Sequence, residues 1–174
     1  MSDIQSTLEL IRGRLNDSFQ AAAPRIDDWV ILSNIVDHDG RAFANAQDKV
    51  VMFLANIQHE DIVSEHRREA PDGSQVGAVI APPIYVDLYL LFYANFAERN
   101  YREGLGVISR TIAFFQRNPV FTHETLPALD PAIDKLRFEL ENLDLAALSR
   151  LMGMLGARYL PSVLYKVSVI PFAG

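Results

Sequence analysis

Residues 82–121 read PPIYVDLYLLFYANFAERNYREGLGVISRTIAFFQRNPVF, and no other stretch narrows the fold as much. From Ile84 to Asn95 the pattern alternates; from about Asn100 to Arg117 apolar residues recur at helical spacing until Asn118-Pro119 stops them. A long strand therefore runs into an amphipathic helix. The even strand positions, Ile84, Val86, Leu88, Leu90 and Phe92, form a continuous apolar face. The odd positions are Tyr85, Asp87, Tyr89, Leu91, Tyr93 and Asn95, an unusual set for a second face. No acid–base pair or phosphate loop decorates this scaffold, which points to a surface used for assembly rather than chemistry.

The remaining segments supply partners for that strand. Ile4, Leu8, Ile11, Leu15 and Phe19 recur at helical spacing, with Ser2 or Asp3 placed to cap the start. This helix should end near Ala23, because Pro24 disfavours helical geometry at the residue before it. Trp29 to Val36 reads as a strand closed by the turn Asp37-His38-Asp39-Gly40, and Lys49 to His59 as a second strand with an antiparallel neighbour. Glu60 to Gln75 is dense in charge and reads as a solvated loop.

The helix that follows residue 100 carries Tyr101, Leu105, Ile108, Ile112 and Phe115 as its apolar stripe. Beyond Pro119, a loop rich in Thr and Pro leads to a strand near Ile133 to Leu140, where Leu136, Phe138 and Leu140 alternate with charge. Asp144 caps a short helix with Leu145, Leu148, Leu151 and Leu155, and Gly156 suits its stop. The last strand starts at Pro161 and carries Val163, Tyr165, Val167 and Val169 on one side. The order is α-β-β-β-α-β-α-β, without repeat or linker: one α+β domain over residues 1–174, with helices packed on a mixed or antiparallel sheet.

Composition sets limits on partners. A net charge of −6 argues against nonspecific binding to nucleic acid or acidic membranes. With no cysteine there are no disulfides or thiolate metal sites. The start, MSDIQSTLELIRGRL, lacks the features of a signal peptide, and no apolar run approaches the ~20 residues that cross a bilayer. The chain is expected to be made in the cytoplasm and kept there until assembled.

Chemical sites find little support. Gly104-Leu105-Gly106 with Ser109 loosely echoes a dinucleotide turn, but it lies inside a helical pattern and lacks the third glycine, so close helix packing explains it better. His59, Glu60, Asp61, Glu65 and His66 match no metal-ligand spacing, and Arg67 and Arg68 would oppose a cation. Asp37-His38-Asp39-Gly40 lacks the ligand alternation of a calcium loop. No serine sits in GxSxG, and the histidines have no recognisable partner. No catalytic residue, cofactor or metal is therefore assigned. Trp29, Phe114 and Phe115 read as core.

Tyr85, Tyr89 and Tyr93 lie about 7 Å apart in succession on one strand face. Either a helix covers them, or they form an interface in which tyrosine supplies apolar area with a polar tip and Asp87 and Asn95 orient the contact. In the closing strand, Ser162 to Ile170, Lys166 and Ser168 stand on the outer side. That strand reads equally as an edge open to strand addition by a sheath or neighbouring subunit, or as an edge protected by its lysine. Tyr85, Asp87, Tyr89, Tyr93, Lys166 and Ser168 are the candidate interface.

The segments PPIYVDLYLLF, IAFFQRNPVF and LSRLMGMLGARYLPSVLYKVSV resemble blocks of the cap, or tail-terminator, family of contractile injection systems, such as the Photorhabdus virulence cassettes and the antifeeding prophage. The resemblance covers the last half of the chain well and the first half in outline. It implies a tail-terminator-like fold and a structural cap that is not an enzyme. The cap would be a ring, hexameric by analogy, docked on the inner tube protein and the sheath protein. There it would stop polymerisation and hold the sheath extended, in a particle that is cytoplasmic or released. Longer members carry additional sequence after the shared domain, whereas this chain ends at IPFAG after its last strand. A small ligand-binding or enzymatic α+β domain is the alternative.

Overall fold

The computed structural model describes residues 3–60 and 83–172. In chain order the elements are α1 (Ile4–Ala22), β1 (Val30–Leu32), β2 (Lys49–His59), β3 (Ile84–Asn95), α2 (Tyr101–Arg117), β4 (Val120–Thr122), β5 (Lys135–Glu141), α3 (Leu145–Leu155) and β6 (Ser162–Phe172). The α+β class and the expected order hold, with β4 added inside the segment read as a loop. Asp61, Glu65, His66, Arg67, Arg68 and the rest of the expected charged loop after Glu60 lie outside the described residues, as does Ser2.

One sheet of six strands runs β1-β2-β3-β6-β5-β4. All neighbours are antiparallel except β1 and β2, which are parallel. The closing strand is thus central: β6 pairs with β3 along one side and β5 along the other. This overturns the edge reading of Ser162 to Ile170. A strand late in sequence can insert mid-sheet because β3 to β6 is a non-local pairing that no local pattern records.

The start of the chain positions the short parallel strand. Asp3 caps α1 by accepting from the amides of Gln5 and Ser6. Asn16, buried on α1, accepts from the backbone N–H of Trp29 at 2.8 Å and of Val30 at 3.2 Å. The Trp29 indole donates to the Ala23 carbonyl, and the Arg25 guanidinium sits 4.3 Å above its ring. These contacts set β1 beside β2. The strand expected over Trp29 to Val36 keeps its ladder only at Val30–Leu32. After Ser33 the chain leaves the sheet, Ile35 turns inward, and Val36 bridges Ala42 across the turn at residues 37–41. There the Asp37 carboxylate accepts from the amides of Asp39 and Arg41, and Gly40 takes φ +75°.

Helices α1 and α2 cover one face of the sheet. Their core includes Leu8, Ile11, Leu15, Phe19, Val50, Met52, Leu88, Leu90 and Phe92. Phe115 stacks on Phe138 at 4.4 Å between ring centres and also meets Phe92 and Tyr165, a cluster joining α2 to the three strands β3, β6 and β5.

Helix α2 is rotated relative to the expected stripe. Its buried residues are Gly104, Val107, Thr111, Phe114 and Phe115, while Tyr101 and Leu105 are 47% and 44% exposed. The buried side combines the small Gly104 and Thr111 with Val107, Phe114 and Phe115. A Cβ at Gly104 would lie 3.4 Å from the Cβ of Phe96, so the backbone approaches closely there. Thr111 fits because its hydroxyl donates to the Val107 carbonyl at 2.9 Å. Gly104 belongs to helix packing, as expected, whereas a Cβ at Gly106 would meet nothing within 4 Å.

The opposite face is covered by α3 and by the segment after β1. Ile35, Ala46, Val51, Leu91, Tyr93, Met152 and Leu164 form this second core. Asp144 caps α3 through the Ala147 amide at 2.7 Å, and Gly156 ends it at φ +64°.

Candidate assembly surfaces

The candidate interface residues share one sheet face but not one degree of exposure. Tyr85, Asp87 and Tyr93 are buried by the chain itself; Tyr89, Lys166 and Ser168 are half-buried. The Tyr93 hydroxyl donates to the Arg158 carbonyl at 2.6 Å, just beyond α3, so this end of the row is closed by a helix and its exit turn. The Tyr89 hydroxyl donates to Oε1 of Gln58 at 2.9 Å. Burial raises the pKa of both phenols.

The buried Asp87 and Lys166 form an ion pair on this face. The Lys166 ammonium lies 2.9 Å from Oδ2 of Asp87 and 3.9 Å from a carboxylate oxygen of Glu60. The hydrogen bond to Asp87 holds the lysine pKa above its usual value. Oδ1 of Asp87 is buried and has no hydrogen-bond partner among the described residues. The register explains the site: between Val86↔Ile170 and Leu88↔Val167, residues 168 and 169 of β6 stand opposite Asp87 alone, a bulge that brings Lys166 to the carboxylate.

The open parts of the sheet lie elsewhere. β1 covers β2 only at Val50–Met52, and no strand of the described residues pairs with the outer side of Phe53–Gln58. β4 covers β5 only at Lys135–Arg137. At one end of the sheet a cleft of about 1210 Å³ lies between the segment after β1, the first turn of α2 and the turn after α3. Phe43, Tyr93, Phe96, Tyr101, Arg99 and Arg158 are among its walls. Among the described residues no group of three or more acidic or histidine side chains is placed to hold a metal ion.

A basic surface that the sequence reading passed over lies on the solvent side of α2. Arg102, Arg110 and Arg117 follow one another at helical spacing with Gly106 and Ala113 between them, and Arg99 precedes them in the turn before the helix. All four arginines are exposed. None forms an ion pair among the described residues. The same 3.6-residue count that finds an apolar stripe would have found this one.

These features define an α+β domain whose conspicuous surfaces suit docking. The chain belongs to the Pvc16 N-terminal domain family, whose profile matches residues 6–174. Its fold is similar to a cryo-EM structure of the PVC sheath/tube terminator of an extracellular contractile injection system in the extended state. That match has TM-score 0.59 and 16% identity, and covers 99% of this chain and 57% of the other. The tube-terminating cap of the anti-feeding prophage is also similar, with TM-score 0.50 and 16% identity over 94% of this chain and 54% of that one. The chain thus spans just over half the length of these structures. No curated protein matches it significantly. No helix among the described residues is long and apolar enough to cross a membrane.

Proposed function

We propose that this chain is a structural cap, or tail terminator, of a phage-tail-like contractile injection system. Identical subunits form a ring, hexameric by analogy, on the distal end of the inner tube and sheath. The ring blocks further addition of tube subunits and holds the sheath extended. The observation that carries this reading is the match of the Pvc16 N-terminal family and of a terminator fold along nearly the whole chain. A ring of heterologous contacts suits the role, because it closes on itself while only one of its faces matches the filament end. The cap works by binding alone, without catalysis or cofactor, and resides in the cytoplasm until it joins the particle.

Purified chain mixed with inner tubes should appear by electron microscopy as added density at one tube end. Deleting the gene should give tubes and sheaths of irregular length. Tubes that keep a uniform length without the protein, or that never bind it, would overturn this reading.

A further inference from the structure

The arginine face of α2 is unexplained by the fold. Arg110 and Arg117 have no acidic residue three or four positions away on the helix, so they gain nothing from local pairing. Arg102 sits in the first turn, where a cation opposes the helix dipole. The basic residues of this helix are all arginine, and arginine with tyrosine marks interface centres where lysine is depleted. Gly106 and Ala113 make a shallow floor between the arginines; a Cβ at Gly106 would meet nothing within 4 Å. Exposed Tyr101 and Leu105 stand beside this stripe. The surface therefore offers cations, a smooth floor and an apolar flank.

The complement is present on the same molecule. At the end of β5 and the start of α3, Glu139, which lies 3.8 Å from Arg137, is followed by Glu141 and Asp144, and the adjoining Leu145 is 85% exposed. This corner offers anions and an apolar flank. It is on a different element from α2, as a head-to-tail contact requires. We propose that the arginine face of α2 receives the acidic, leucine-bearing corner of the next copy of this chain, and that this contact closes the ring. The proposal rests on the capping reading for its biological setting but not for its test.

The chain has no cysteine, so introduced thiols report unambiguously. The variant carrying Gly106→Cys and Asn142→Cys should give a ladder of disulfide-linked multimers under mild oxidation, in concentrated solution or on inner tubes. Adding Arg102→Glu and Arg110→Glu should reduce the ladder by about tenfold or more, since like charges then face each other. Further reversal of Glu139 and Glu141 to arginine should restore it. Circular dichroism of each variant checks that the fold survives. Absence of a ladder in both settings, covalent dimers from Gly106→Cys alone, or a ladder indifferent to charge reversal would each overturn the contact. Normal capping without a ladder would discard this interface and leave the capping reading standing.

Discussion

The ammonium of Lys166 on β6 lies 2.9 Å from Oδ2 of Asp87 on β3, joining the two central strands across a bulge. Asp87 is 2% exposed, and Lys166 is its only charged partner within bonding distance among the described residues. Removing the lysine would strand a buried carboxylate. Lys166→Met should therefore cost about 3 kcal/mol in chemical denaturation, whereas Asp87→Leu combined with Lys166→Met should recover most of that loss. Equal losses from the single and double variants would mean that the face depends on the ion pair itself.

Several titratable groups predict how stability follows pH. Asp87 raises the pKa of Lys166, and burial raises those of Tyr93 and Tyr165. Each folded-state value exceeds its unfolded one. The stabilisation is thus complete below roughly pH 10 and is lost as pH rises through the folded values. At the acid end, Asp27 lies well below the usual carboxylate range through hydrogen bonds from Arg25 and Lys49. Its contribution is present above about pH 3.9 and is lost as pH falls toward the folded value. Because the Asp27 side chain is 54% exposed, solvent screening keeps this contribution small. Thermal midpoints measured across pH should fall at both ends, with the alkaline fall shallower in Tyr93→Phe.

The rotation of α2 can be tested by paired truncations. Phe115 is buried against Phe92, Phe138 and Tyr165, so Phe115→Ala should cost about 3–5 kcal/mol. Leu105→Ala should stay within about 0.5 kcal/mol, because the side chain is exposed in the free subunit. A large loss at Leu105 would restore the stripe suggested by periodicity.

Asn16 gives a prediction that no strand or helix pattern reveals. Its amide oxygen is the acceptor for two backbone donors at the start of β1. Asn16→Ala leaves both buried and should cost about 1–3 kcal/mol. Hydrogen exchange should accelerate at Trp29 and Val30 before the central strands are affected.

What could be read in the sequence was what is decided locally. Asp3, Asp144 and Gly156 mark helix ends because caps involve residues within a turn of one another. β3 was legible to the residue, since alternation over so long a run admits few other structures. The phase of α2 was not, because its buried side uses Gly104 and Thr111, which no hydropathy pattern counts as apolar. Of the candidate interface, the shared face of Tyr85, Asp87, Tyr89 and Tyr93 follows from period two, but the cover that α3 places over Tyr93 is a tertiary fact. Lys166 looked like an edge lysine; only the β3–β6 register, set by distant parts of the chain, supplies Asp87 as its partner.

Strand order leads to the last prediction. Val167 is buried in β6, opposite Leu88 on β3 and Phe138 on β5. Val167→Pro removes a backbone donor and sets a fixed φ in a strand flanked on both sides. A proline on an edge strand could be tolerated, but here it interrupts the ladder between the two halves of the sheet. The variant should lose the cooperative unfolding transition in circular dichroism and denaturant titration. A folded Val167→Pro subunit with near-native stability would mean that β6 lies at an edge, and the strand order described here would have to be abandoned.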